Sequence, residues 1–356
     1  MFEDIEKIIE AGTHAPSGDN SQPWRFVVCD NVIEIYNLPE KDNPIFNYKQ
    51  RGSYLAHGAL IENIDIAAKE LGYQAEVELF PSINNKDFIA RVGLTKKDLP
   101  KDSLYTYIWT RSINRKKYTN IPLTSKQREY LLNTQEEVKG VNILFDEKIE
   151  DKKILGNAVS KNEVVMLENK MLHQYFFHDI RWTEKEEKKC KSGLYLKTME
   201  LAPPQVIIFK LLSKWKIAKY LTKLGIAKFI AKENSKIYSS GSAIGLITVS
   251  HNATKEEFIF VGRAMQRLWL KATELDLSFH PITGIIYLIQ RILHNENEVL
   301  SPTHVELVKN SFSKITKVFG VSDESYVTLL FRIGHGGKPS AVSSRMKARI
   351  EMKNHI

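Results

Sequence analysis

The sequence has little of what marks a secreted, membrane-spanning or metal-dependent protein. Two of its 356 residues are cysteine, Cys29 and Cys190, too few for a disulfide framework or a thiolate metal cluster. No run of about eighteen apolar residues occurs, so no bilayer-spanning helix and no stable membrane insertion are expected. No apolar run opens the chain, so a secretory signal is not expected and a cytoplasmic protein is. The GxGxxG and GxxxxGK[ST] phosphate loops are missing, which argues against a Rossmann or P-loop site. A GxSxG elbow is missing too, and no catalytic nucleophile stands out. The formal charge of +9 invites a polyanion partner, but no basic-plus-aromatic RNA or DNA module is visible, so no nucleic acid is expected.

What is present is a chain with 43% apolar and 26% charged residues, enough for a large core and about two domains. Apolar residues Phe2, Ile5, Ile8 and Ile9 at helical spacing predict a helix over 2–13. The stretch Ala15-Pro16-Ser17-Gly18-Asp19-Asn20-Ser21-Gln22-Pro23-Trp24-Arg25-Phe26 follows and leads into Val27-Val28-Cys29. It reads as a helix-to-strand loop in which Pro16 and Pro23 stiffen the backbone, Gly18 permits close approach of a flat ligand, and Ser17 and Asn20 offer polar groups. Further helices are predicted at 52–72, 124–134 (capped by Thr124 or Ser125), 255–275 and 302–315, with strands at 24–37, 75–80, 87–94, 140–145 and 325–333. Helices and strands do not alternate regularly enough for a doubly wound sheet, so the fold class is α+β.

Two segments repeat at an offset of 204 residues. Gly58, Ala68, Glu70 and Leu71 recur as Gly262, Ala272, Glu274 and Leu275, and Ile61, Ile64 and Ile66 as Met265, Leu268 and Leu270. Both carry apolar positions at helical spacing with small residues that allow close helix packing. A basic run, Arg111-Ser112-Ile113-Asn114-Arg115, stands between the two segments and precedes a helix-cap candidate at Thr124 or Ser125. The expected halves are 1–104 and 105–356.

The loop Pro-Ser-x-x-Asn-x-Gln-Pro-Trp at 16–24 resembles the flavin-contacting loop of the nitroreductase-like superfamily. Arg111-Ser112-Ile113-Asn114-Arg115 resembles the phosphate-gripping Arg-x-Ser-x-Arg start that normally opens a domain of this kind, and so implies a second start near residue 111. The chain as a whole resembles their fused, Acg-like branch. The resemblance implies a tandem duplication of the nitroreductase fold forming an intramolecular pseudo-dimer, a monomer whose single complete site lies between its halves. It implies FMN as cofactor, NAD(P)H as transient reductant, and a small-molecule nitro, quinone or similar conjugated acceptor. The cofactor-binding residues it implies are Pro16, Ser17, Gly18 and Asn20 from the first half, and Arg111, Asn114, Arg115 and Arg345 for the phosphate. Pro281, Ile282, Thr283 and Gly284 are to run as a loop along the ring. Arginine suits the phosphate because its planar fork makes bidentate, charge-assisted hydrogen bonds; Arg111 and Arg115, read as one helical turn apart, are expected to point together. Ile113 departs from the family's Ser or Thr. Arg332 is open to a structural role, and His280, beside Phe279, reads as structural before acid or base.

Residues 203–238 differ from the rest. Seven lysines from Lys210 to Lys232 alternate with apolar residues, and no acid occurs among them until Glu233. The pattern predicts a basic amphipathic helix or helix pair broken near Gly225, inside an insert at about 185–240. Three roles stay open: a lid over the flavin, a packing element, or attachment to an anionic surface. Two rivals to a turning-over reductase also stay open. One is an FMN-storing or sensing protein with little turnover; the other is a polyanion- or membrane-surface protein supported by charge alone.

Overall fold

The computed structural model describes residues 2–42, 45–251 and 253–353. Helix α1 (Phe2–Thr13) buries Ile5, Ile8 and Ile9. Strands β1 (Trp24–Cys29) and β2 (Val32–Asn37), helix α2 (Arg51–Glu70), and strands β3 (Tyr73–Leu79) and β4 (Phe88–Lys96) follow. The segment expected as one strand over 24–37 is a hairpin, because Asp30 takes a left-handed φ of 51° and turns the chain between β1 and β2. These strands pair antiparallel in the order β1-β2-β4-β3.

After α3 (Ser125–Leu132), with Thr124 and Gln127 forming its capping box, and α4 (Thr134–Glu137), the same succession returns. Strand β5 (Asn142–Asp146) leads into a helical excursion: α5 (Ile149–Val159), α6 (Lys161–Glu168), α7 (Lys170–His178), the two-residue strand β6 (Ile180–Arg181), α8 (Glu184–Cys190), the two-residue strand β7 (Leu194–Tyr195), α9 (Pro203–Leu212), α10 (Trp215–Lys223) and α11 (Ile226–Tyr238). Then come β8 (Ala243–Ser250), α12 (Lys255–Glu274), β9 (Ser278–Ile282), α13 (Gly284–Leu293), α14 (Pro302–Phe319) and β10 (Ser325–Gly334). Their sheet is β5-β8-β10-β9, again all antiparallel. Both sheets therefore share one connectivity: strand, strand, long helix, strand, strand. The insert is larger than expected: helices begin at Ile149, and the excursion fills the place that the Asp30 turn holds in the first half. The basic part comprises three helices, with a break at Gly225 (φ 91°) as expected.

The two long helices cross at the repeated glycines. A Cβ on Gly58 would lie 2.1 Å from the Ile259 carbonyl oxygen, and one on Gly262 would lie 2.1 Å from that of Leu55. Only hydrogen fits at such an approach. These contacts are mates: Ile259 is Leu55 shifted by 204, and Gly262 is Gly58 shifted by 204. The same exchange relates Gln266 donating to Asn63 (2.7 Å) and Arg267 donating to Glu62. Such reciprocity is the mark of a two-fold, self-complementary interface. Burial would raise the Glu62 pKa, but Arg263 and Arg267 outweigh it and hold the carboxyl below its usual value. One apolar core runs from α1, α2 and the first sheet through α12 to the inner face of the second. Strand β11 (Ile350–Met352) closes the seam by pairing parallel with β1, Phe26 opposite Ile350.

Candidate functional site

The 14–23 loop is held in an uncommon backbone shape. Asp19, Asn20 and Gln22 all have positive φ (44°, 57° and 51°), which costs energy at non-glycine residues unless the surroundings enforce it. Here they do. Ser17 Oγ accepts the Gln22 amide at 3.0 Å, and Gln22 donates its side-chain amide to the Lys191 carbonyl at 2.7 Å. Gln22 Oε1 accepts from the Met346 amide at 2.8 Å, and Asn20 donates to the Ser344 carbonyl at 3.0 Å. Asn20 Oδ1 accepts from Arg345 Nη1 at 2.6 Å. Glu187 fixes the other side of that tail by accepting from Ser344. The loop of the first half is thus clasped by two segments of the second.

Arg111 and Arg345 meet beside this loop. Arg111 lies face-on to the Trp269 ring, 4.4 Å from its centre, and donates to the His14 carbonyl at 2.7 Å. The Nε atoms of Arg111 and Arg345 are both buried and have no partner. Among the described residues neither arginine has a carboxylate within ion-pair distance. Burial, and then the charge of Arg345, depresses the Arg111 pKa; burial brings Arg345 down to about 10, against the pull of Glu187. His14 falls to about 4 through burial, Arg345 and Arg111. Two neighbouring guanidinium groups with unspent donors and no carboxylate within ion-pair distance are costly. A bound anion relieves that cost, and a phosphate matches the fork geometry.

The pairing differs from the expected one. Residues 111–119 are extended along the edge of the second sheet, with Ile113 bridged to Phe279, so Arg111 and Arg115 are not stacked by a helical turn. Arg115 donates to the carbonyl and hydroxyl of Thr198 instead. Asn114 spends both amide hydrogens, on Ser278 Oγ (2.9 Å) and the Gly337 carbonyl (2.7 Å). In this arrangement it pins the edge and has no donor left for a phosphate.

The 281–284 segment is also more regular than a loop. Pro281 and Ile282 lie in β9 opposite Phe331 and Leu330, and Gly284 begins α13 with Thr283 before it. A Cβ on Gly284 would lie 2.7 Å from the Asn162 side-chain amide, so a larger residue there requires that amide to shift. Beside Pro281, Arg332 is fully buried and wholly structural. It donates to His280 Nδ1 (3.1 Å), Ile237 O, Ser240 Oγ and Lys116 O. Since Nδ1 accepts, His280 carries its proton on Nε2. Burial, Arg332 and Arg115 all push its pKa well down, so it is a neutral donor and not a base near pH 7. Its ring stacks on Tyr238 (5.9 Å), whose hydroxyl donates to Glu163 at 2.8 Å. Burial raises Glu163 to about 7 despite hydrogen bonds from Asn234 and Tyr238. His14, Trp269, Thr198, Lys191, Glu187 and Tyr238 were not among the expected site residues. Only His14, two positions before Pro16, carried a local signal; the others reach the site through tertiary packing.

Residues 2–51 match the nitroreductase family. The chain is similar to an uncharacterized protein of Mycobacterium tuberculosis (strain CDC 1551 / Oshkosh), 23% identical over 342 residues, covering 96% of this chain and 47% of that one. It is also similar to a protein of M. tuberculosis (strain ATCC 25618 / H37Rv) provisionally named an NAD(P)H nitroreductase, 27% identical over 123 residues, 34% of this chain and 36% of that one. The chain spans about half the length, or less, of these relatives. Among solved structures, the NADPH:FMN oxidoreductase from Vibrio harveyi complexed with NAD+ matches 68% of this chain and 73% of that chain at 12% identity, with a TM-score of 0.37, too low to place any residue. The match over the opening 50 residues and the relatives aligned along the chain support a likeness to the nitroreductase-like superfamily.

Proposed function

We propose that this chain is an FMN-dependent NAD(P)H oxidoreductase with one flavin site between two halves of duplicated origin, 1–104 and 105–356. The observation that carries the reading is the pair Arg111 and Arg345, buried together with unpartnered Nε atoms against the 14–23 loop. This donor set fits a phosphate monoester better than any group the chain itself supplies. Support for the duplication comes from the repeated strand order and the reciprocal contacts of α2 and α12. Support for an NAD(P)H-dependent reductase comes from the family match over residues 2–51 and from the relative provisionally named an NAD(P)H nitroreductase.

Arg111 and Arg345 would hold the phosphate, with Pro16, Ser17, Gly18 and Asn20 forming the facing wall, while Arg115, turned to Thr198, stays outside this pair. Pro281 to Gly284 would lie along the ring, and the Nε2–H of His280 offers a donor close to that strand. Bound FMN supplies the two-electron chemistry; the protein orients it, keeps water out and tunes it through hydrogen bonds. The acceptor is a small nitro, quinone or related conjugated molecule. Because the seam already lies within one chain, the protein is expected to be a monomer.

The test is to purify the protein, record its visible spectrum, count FMN released per chain and add NADPH without oxygen. One flavin per chain, bleached by NADPH, is the expected result. A colourless protein that takes up no FMN would overturn the reading. Bound flavin that NADPH leaves oxidised would favour storage or sensing over turnover.

A further inference from the structure

The basic helices do not behave as an ordinary packing element. One side of α9–α11 packs inward: Leu212, Ala218 and Ala227 are buried with Leu167, Phe177 and Ile180. An ordinary surface helix then turns a polar face to water. Here the outward side is apolar as well. Ile207, Ile208, Leu211, Tyr220, Leu224 and Phe229 range from 44% exposed (Ile208) to 84% (Leu224). Helix α9, Pro-Pro-Gln-Val-Ile-Ile-Phe-Lys-Leu-Leu, stands with nearly its whole length at the surface. A concentration of exposed apolar side chains in one short segment marks an interaction surface.

The charges identify the partner. Lys210, Lys214, Lys216, Lys219, Lys223 and Lys228 are all exposed, and among the described residues none has an acid within ion-pair distance. By contrast Lys236, just beyond, is paired with Glu233 at 2.7 Å. Unpaired lysines interleaved with exposed aliphatic and aromatic groups complement a surface that is anionic outside and apolar just beneath. Among the described residues no helix is long and apolar enough to cross a membrane, and the exposed basic and apolar pattern fits an interfacial mode of attachment. We propose that α9–α11 form a docking surface for an anionic lipid bilayer, with the apolar side chains entering the headgroup boundary and the lysines among the phosphates.

The experiment is co-sedimentation of the full chain with phosphatidylcholine vesicles, with and without 30 mol% phosphatidylglycerol, at low and high salt. Binding at least tenfold stronger to the anionic vesicles and weakened by salt is expected. A Lys216→Gln/Lys219→Gln variant should bind about 30-fold more weakly, at about 1 kcal/mol per lysine. A Leu211→Ser/Leu224→Ser variant should lose most binding at either salt concentration. Both replace exposed groups, so an unchanged thermal midpoint checks that the fold is intact. Failure to bind anionic vesicles, or equal binding to both kinds, overturns the proposal. So does a dimer in light scattering that the Leu211→Ser/Leu224→Ser variant dissolves, which assigns the face to a second copy. None of these outcomes depends on flavin.

Discussion

The two sheets have one strand order and opposite outer surfaces. In the first, Val27, Glu34, Arg91 and Glu78 stand in register across β1-β2-β4-β3. Arg91 pairs with Glu78 at 2.8 Å and reaches Glu34 at 3.9 Å, so Arg91 and Glu78 stand in water beside Glu34, while Val27 at the other end of the row is buried. In the second, the matching row across β5-β8-β10-β9 is Leu144, Leu246, Leu330 and Ile282. That row is covered by α5, α6, α13 and α14. Ile282 is Glu78 shifted by 204 residues. The same backbone plan can be half-solvated or wholly buried, and the side chains of one face decide which. The earlier part of the chain leaves one face of its sheet uncovered and supplies a loop; the later part carries helices that cover its sheet and clasp that loop.

The comparison can be broken most severely at Leu330. Leu330→Arg places in the covered row the charge that Arg91 carries in the open one. Leu330 is fully buried, so the variant is expected to lose more than about 4 kcal/mol and to fail to fold at 37 °C; urea unfolding and soluble yield measure it. Next come Gly58→Ala and Gly262→Ala. Each pushes a Cβ onto a carbonyl oxygen of the partner helix, and each should cost roughly 2–4 kcal/mol. The two costs should agree within about 1 kcal/mol if the crossing is truly two-fold. A large difference would show that the two sides of the crossing are not equivalent.

Arg111→Ala and Arg345→Ala should each weaken FMN retention by about 1.5–3 kcal/mol, measured by flavin fluorescence on titration. Unchanged affinity in both would remove the phosphate assignment while leaving the fold untouched. The pH dependence follows from His57 and His14. Burial lowers His57 to about 3, and burial with Arg345 and Arg111 lowers His14 to about 4, from an ordinary 6.5. Below pH 6.5 the unfolded chain takes up protons that the folded chain refuses. Stability is therefore full above that pH and falls as pH drops towards 4, by up to about 1.4 kcal/mol per pH unit for the fully buried His57 and less for the partly exposed His14. Urea midpoints at pH 7 and 5 measure the slope, and His57→Asn should flatten it. The smallest effect belongs to the open row: Arg91→Ala should cost under about 1 kcal/mol, because its ion pairs are exposed to solvent.

Local chemistry wrote much of this molecule into its sequence. Periodicity and caps located α1, α2, α3, α12 and α14, since each buries a stripe set by residues three and four apart. The repeated glycines marked α2 and α12 as helices able to pack closely, and the composition of 16–24 marked that stretch as a helix-to-strand loop. The break at Gly225 was legible because only a left-handed residue ends a helix that way. What the sequence left undecided was every fact that depends on partners distant along the chain. Asn114 reads as a donor until Ser278 and Gly337 take its hydrogens; Arg111 reads as the neighbour of Arg115 until the sheet edge straightens the chain between them. That Arg345 comes to Arg111, and that Arg332 settles the tautomer of His280, follow from contacts spanning 52 to 325 residues. A side chain's role is fixed by which of its hydrogen bonds remain unsatisfied, and that is known only once the fold has assigned the others.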